Sequence, residues 1–305
     1  MQEVYSLTHL LLLLIKNECT SKTLELKERL HTHLSQIVRD RDPYLAQAGH
    51  FFVQQYIHQQ LEQWGMVETH QFVIRGQSHQ NLILNLPGQS STAKRRASPI
   101  LIAAHYDAVP GTPGADDNAT GVAVLLELAR VFATQPARYP VRLVAFDLEE
   151  YGLLGSQEYA AKLKKQGQRL RLMLSLEMLG YCDSARGSQR YPAGLQRFYP
   201  NQGNFIALIG NLKTIPDLIR LSRSIRKIRT PCEWLPVPNR GMIVPQTRLS
   251  DHSPFWDRGY PALMVTDTAF LRNPHYHQAS DTIDTLDLDF LTGVCRGLIQ
   301  GLSNL

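Results

Sequence analysis

The chain has 305 residues, 43% of them hydrophobic, with a formal net charge of +5 and an isoelectric point near 9.0. That length suits one large α/β domain or two small ones, and the apolar fraction supports a sizeable core; collagen-like, low-complexity and generally disordered chains are excluded. An excess of 32 basic over 27 acidic residues is too slight to imply a nucleic-acid partner, and none is expected.

The chain opens on a short apolar run, Leu10 to Ile15. It is far shorter than the roughly 18 residues that a bilayer crossing needs, so no membrane span is expected. Glu3 before it and Lys16-Asn17-Glu18-Cys19 after it do not fit a secretory signal. Residues 1–19 read as an N-terminal extension with a helical start, and the cytoplasm is the expected compartment. Cys19, Cys182, Cys232 and Cys295 are scattered and form no CxxC pair, which points to small isolated residues rather than a zinc ribbon or a redox pair.

From residue 20 to 39, Leu26, Leu30, Leu34 and Ile37 recur at helical spacing. Asp42-Pro43 reads as a cap with proline at the first helical position. The second helix is expected to run to Trp64, with Phe52, Val53, Tyr56, Ile57 and Leu61 inward, and to end at Gly65. Short strands are expected at 71–74 and 82–86. Pro87-Gly88 marks a turn, and Lys94-Arg95-Arg96 reads as the solvated tip of a polar loop.

The middle of the chain alternates. Residues 100–104 are a continuous apolar run, as in a strand buried on both faces, and residues 141–146 read as another buried strand. Between them, residues 121–132 form a helix with Val122, Leu125, Ala129 and Phe132 on one side. A helix at 156–165, a strand at 172–176, strands at 205–209 and 262–265, and a last helix from near Asp287 follow. Residues 216–229 form an amphipathic helix, Leu218, Leu221, Ile225 and Ile228 inward and Arg220, Arg223, Lys227 and Arg229 in solvent. The insert at 181–204, rich in Gly, Pro, Arg and Tyr, reads as a long surface loop of functional length. This order predicts a single α/β domain over residues 20–305, its sheet mixed but mostly parallel, with helices on both faces.

In such sheets ligands sit beyond the carboxyl ends of strands. His105 and Asp107 follow the strand at 100–104, Glu149 and Glu150 the strand at 141–146, and Glu177 the strand at 172–176; Asp117 precedes a helix. So many carboxylates at one edge repel each other and are costly to desolvate, and cations resolve that cost. Mixed histidine and carboxylate ligands suit zinc, with cobalt or manganese as substitutes. Asp107 is spaced to accept the second N–H of a metal-bound His105.

HYDAVPGTPGADDNATGVAVLLELAR, DLEEYGLLGS, SLEMLGY, SDHSPFWDRGYPALMV and RNPHYHQASDTIDTLD stand in this order. Together they resemble the zinc peptidase family of the bacterial di-zinc, leucyl-type aminopeptidases, with glutamate carboxypeptidase II and the glutaminyl cyclases as more distant relatives. The resemblance covers roughly residues 80 to 290. It implies a metal-dependent exopeptidase acting on short peptides, with two zinc ions activating a shared water. His105 and Glu177 would bind one metal, Glu150 and His277 the other, and Asp117 would bridge them. Glu149 would be the general base, Asp107 would orient His105, and the Asp117-Asn118 peptide would be cis. Among the remaining histidines, His31, His33, His50 and His58 fall on expected helices away from the strand ends. His252 is expected to line the pocket or cap a helix, and His275 to be structural.

Glu177 departs from the aspartate usual in the aminopeptidases and matches some carboxypeptidase relatives. A carboxypeptidase or dipeptidase on the same site therefore stands as an alternative, and a glutaminyl-cyclase-like acyltransferase and a non-catalytic binding module stand beside it. Arg186, Arg190, Arg197 and Arg272 are the candidates for a clamp on a substrate carboxylate.

Overall fold

The computed structural model describes residues 2–89 and 97–305. The basic loop tip Lys94-Arg95-Arg96 lies outside the described residues, as do the side chains of the Leu10 to Ile15 run and of Cys19. Helix α1 is Gln2–Ile37 and α2 is Gln47–Glu62. Strands β1, Val67–Ile74, and β2, Gln77–Leu86, form a hairpin. Then come β3 Ile100–His105, α3 Gly121–Thr134, β4 Val141–Phe146, α4 Leu154–Lys165 and β5 Leu172–Glu177. The last part holds β6 Ile206–Asn211, α5 Ile215–Lys227, β7 Cys232–Val237, α6 Ser253–Asp257, β8 Ala262–Thr266 and α7 Leu288–Ser303.

The strands join one sheet in the order β1-β2-β4-β3-β5-β8-β6-β7. The central four, β4-β3-β5-β8, are parallel, so their carboxyl ends share one edge. Strands β2 and β6 run antiparallel to that block. Both faces are covered, which is why β3 and β5 are apolar along nearly their whole length. Leu84, Ile102, Leu143 and Leu174 pack toward α1, α2, α3, α5 and α7. Leu101, Ala103, Val144 and Met173 pack toward Tyr159 and Leu163 of α4 and Phe255 and Trp256 of α6. The expected single α/β domain with helices on both faces is the one observed. Among the described residues, no helix is long and apolar enough to cross a membrane.

Three local expectations need correction. Helix α2 starts at Gln47, not at Pro43: Asp42 Oδ1 accepts the main-chain N–H groups of Tyr44 and Leu45 at 2.8 and 2.6 Å, closing a separate turn first. Phe52, expected inward, is 41% exposed and lies under the guanidinium of Arg39. Strand β7 has no counterpart in the expected elements.

Candidate metal centre

The shared edge of the parallel strands collects the acids. His105 ends β3, Glu177 ends β5, and Glu149 and Glu150 stand in the turn after β4. Asp117 lies in the short helical turn Ala115–Thr120, which is non-helical at Asp117 and Asn118, and the peptide bond between these two is cis. His277 comes from the loop after β8, its ring stacked on Tyr276 at 3.7 Å between centroids.

The structure brings these residues together in two groups that share one carboxylate. His105 Nε2 lies 3.3 Å from Asp117 Oδ1 and 3.4 Å from Glu177 Oε1. His277 Nε2 lies 3.2 Å from Asp117 Oδ2 and 3.3 Å from Glu150 Oε2. The two oxygens of Asp117 thus face different histidines. Glu149 also comes close, its carboxylate within 4.8 Å of ligand atoms of His105 and Glu177.

Further residues, most of them not singled out from the sequence, fix this arrangement. Asp107 was expected to hold His105; its Oδ1 is 3.4 Å from His105 Nδ1, without hydrogen-bond alignment. Its two oxygens also accept the main-chain N–H groups of Glu149 and Glu150, both at 3.1 Å, so one aspartate aims the neighbouring pair. Ser250 donates to Glu177 Oε2 at 2.6 Å. Asp281 accepts the N–H groups of Asp116 and Asp117 at 2.9 and 3.1 Å. Asn118 Nδ2 donates to Leu176 O, and its Oδ1 accepts from Met178 N and Gly121 N, tying the turn to β5. Gly121 is required there, because a Cβ would stand 2.3 Å from Asn118 Oδ1.

The donors fit a bound cation. His277 Nε2 and Glu150 Oε1 are buried with no hydrogen-bond partner, although carboxylate oxygens surround the imidazole. Two imidazoles and several carboxylates suit zinc and admit cobalt or manganese. Without metal the cluster is electrostatically frustrated. Burial and the charge of Asp117 push the Glu150 carboxyl up to about 7 from the usual 4.5. Burial, then Glu177, Glu150 and Asp251, push Glu149 well up against the opposing charge of His105. Burial would lower His277, but its contacts with Asp117 and Glu150 lift it to about 10 from 6.5.

These shifts set a pH dependence for the metal-free protein. The unfolded chain loses the Glu150 proton first, so folded stability falls as pH rises from about 4.5 to about 7. His277 favours the folded state fully below about 6.5, and that contribution is lost as pH rises toward about 10. Thermal melts in chelator are therefore expected to show Tm falling from about pH 6.5 to about 10, above the range in which the depressed His252 acts in the opposite sense. Saturating zinc is expected to flatten the fall, since bound ligands are already ionised carboxylates and neutral imidazoles. A metal-free Tm that rises with pH there would contradict this electrostatic picture.

Among the described residues, the other histidines stay out of the cluster. His252 is fully buried, bonded to Thr247 O at 2.8 Å and edge-on to Trp256, and burial pushes it down to about 3. It stands at the N-cap position of α6, one of the two places expected for it, without a side-chain cap bond, and it does not line the apolar cavity beside Glu177. His275 pairs with Ser280 at 2.9 Å. His50 was placed away from the strand ends, yet α2 carries it to Asp147, just past β4, at 2.8 Å; His79 holds the other oxygen of that carboxylate at 3.2 Å.

An apolar cavity opens beside Glu177 and Tyr276. Its walls include Tyr191, Leu195 and Tyr199 of the insert, Trp234 and Leu235 of β7, and Phe205, Met264 and Phe270. Among the described residues, no lysine, arginine or histidine lines it. Arg186, Arg190 and Arg197 are exposed, and Arg190 donates to Phe270 O. Arg272 is buried, bonded to Gln189 and Phe205 O and stacked on the Phe205 ring.

Residues 81–300 match the family model described as Peptidase family M28. The chain is 40% identical to an uncharacterized protein, YfbL, of Escherichia coli (strain K12), across 67% of this chain and 66% of that protein. It is 30% identical to a probable leucine aminopeptidase of Trichophyton verrucosum (strain HKI 0517), across 69% and 53%. The chain thus spans between about half and two thirds of the length of these curated relatives. Its fold is similar to that of the LapA aminopeptidase of Legionella pneumophila, with a TM-score of 0.67 at 19% identity, covering 94% of this chain and 74% of that one. It is equally similar to a glutaminyl cyclase of Bacteroides thetaiotaomicron, with a TM-score of 0.66 at 17% identity, covering 92% and 98%. At these identities the likeness concerns the fold alone.

Proposed function

The chain belongs to peptidase family M28, and on that premise we propose that it is a two-zinc aminopeptidase that removes the first residue of short peptides. His105 and Glu177 would hold one zinc, Glu150 and His277 the other, with Asp117 between them. When bound, the two ions supply Lewis acidity toward the scissile carbonyl and lower the pKa of water. Glu149 takes the proton of the attacking water and delivers it to the leaving amine. Asp107 keeps the two roles apart, because fixing both main-chain N–H groups lets Glu150 face Asp117 and His277 while Glu149 faces His105 and Glu177.

The observation that carries the amino-end reading is charge. A free ammonium is drawn to the acid cluster, whereas a substrate carboxylate needs a cationic partner, and no basic residue among those described lines the adjoining cavity. The aromatic and aliphatic walls of that cavity suit an apolar first side chain. The test compares a leucyl dipeptide with its N-acetylated and C-amidated forms. Cleavage of the amidated form and not of the acetylated one is expected. The reverse pattern would overturn the amino-end reading and favour a carboxypeptidase.

A further inference from the structure

The connector between α1 and α2 sends one side chain into the core behind the metal centre. Arg41 is fully buried. Its Nε donates to Tyr106 O at 2.9 Å, Nη1 to Pro113 O at 2.6 Å and Arg39 O at 3.3 Å, and Nη2 to Gly114 O at 2.8 Å and Asp117 O at 3.2 Å. A buried guanidinium is costly unless its planar fork of donors is satisfied. Here every partner is a main-chain carbonyl, and all but Arg39 lie between the end of β3 and Asp117. The loop is shaped to this group. Gly114 has φ +60, and a Cβ there would stand 2.3 Å from Asp117 O and 2.8 and 2.9 Å from Nη2 and Nη1 of Arg41. Burial weighs against the guanidinium's charge, and the carboxylates of Asp117, Asp107, Asp281 and Glu150 offset part of that cost.

We propose that Arg41, which lies outside the residues matched by the family model, is a positioning residue for the metal centre: its fork fixes the backbone of Asp117 so that the two carboxylate oxygens reach His105 and His277 separately. This rests on the metal-centre reading above. Removing the fork frees the loop from Tyr106 to Asp117 without deleting any ligand side chain.

The test uses the full chain with Arg41→Lys, which keeps the charge and loses the fork, and Arg41→Met, which loses both. Zinc affinity, measured by chelator competition, is expected to fall about 10–100-fold in both, the usual cost of removing a partner behind a metal ligand. The rise in Tm on adding zinc is expected to shrink in step. A merely structural role would lower Tm equally with and without zinc and leave the affinity at the wild-type value; that result overturns the proposal. So does wild-type affinity in Arg41→Lys, which would leave nothing for the fork to do. Failure of both variants to fold would assign Arg41 to folding and also overturn it. Absence of zinc binding in the wild-type chain would sink the metal-centre reading itself, and this inference with it.

Discussion

Glu149→Gln is expected to lower kcat by roughly 10²–10⁴-fold, the usual contribution of a general base, with zinc content at the wild-type level. Glutamine is nearly isosteric and keeps the main-chain contact from Glu149 N to Asp107, so the turn should hold. What disappears is the proton acceptor beside His105 and Glu177. KM should change little, because the side chain is assigned proton transfer and not substrate binding. Steady-state kinetics on zinc-loaded protein, with elemental analysis of the same sample, separate the two effects. Retained turnover would show that Glu149 is not the base. Loss of zinc together with activity would make it a ligand.

Asp117→Asn is expected to be as severe by a different route. The two oxygens of Asp117 serve two histidine groups, and an amide presents one acceptor oxygen and one donor nitrogen. One group therefore loses its ligand whichever way the amide turns. The surrounding turn should survive, since Asp281 holds Asp116 N and Asp117 N through the main chain and Asn118 ties the turn to β5. The expected result is a folded protein with at least one zinc bound far more weakly and with turnover largely lost. Chelator competition on the variant checks it. Wild-type affinity for both ions would remove Asp117 from the bridge.

The sequence made the sheet and the acid edge readable for a physical reason. Strands β3, β4 and β5 are buried along nearly their whole length, so they stand out as apolar runs interrupted only by Arg142 and Ser175, and the residues after them fall at a common edge. Strand β7 escaped because it is an edge strand, half-buried along most of its length and carrying Pro236, which an edge tolerates and a central strand does not. The hairpin strands β1 and β2 are longer than expected because polar residues such as His70 and Asn81 pair across them, an effect of tertiary pairing that local pattern does not carry.

The residues behind the ligands were harder to read. Ser250 reaches Glu177 from 73 positions away, and Arg41 reaches Asp117 from 76. Such contacts leave no periodicity and no local spacing. The second role of Asp107, aiming Glu149 and Glu150 from across the sheet edge, was hidden for the same reason, although its place beside His105 was plain.

The central claim is that one aspartate joins two metal positions. Elemental analysis of zinc-loaded, desalted wild-type protein tests it most directly. The predicted result is a stoichiometry approaching two zinc ions per chain, falling with the addition of chelator in step with activity. A stable single zinc with full activity would contradict it, remove the bridging role of Asp117 and favour a cyclase-like, one-metal site on the same fold.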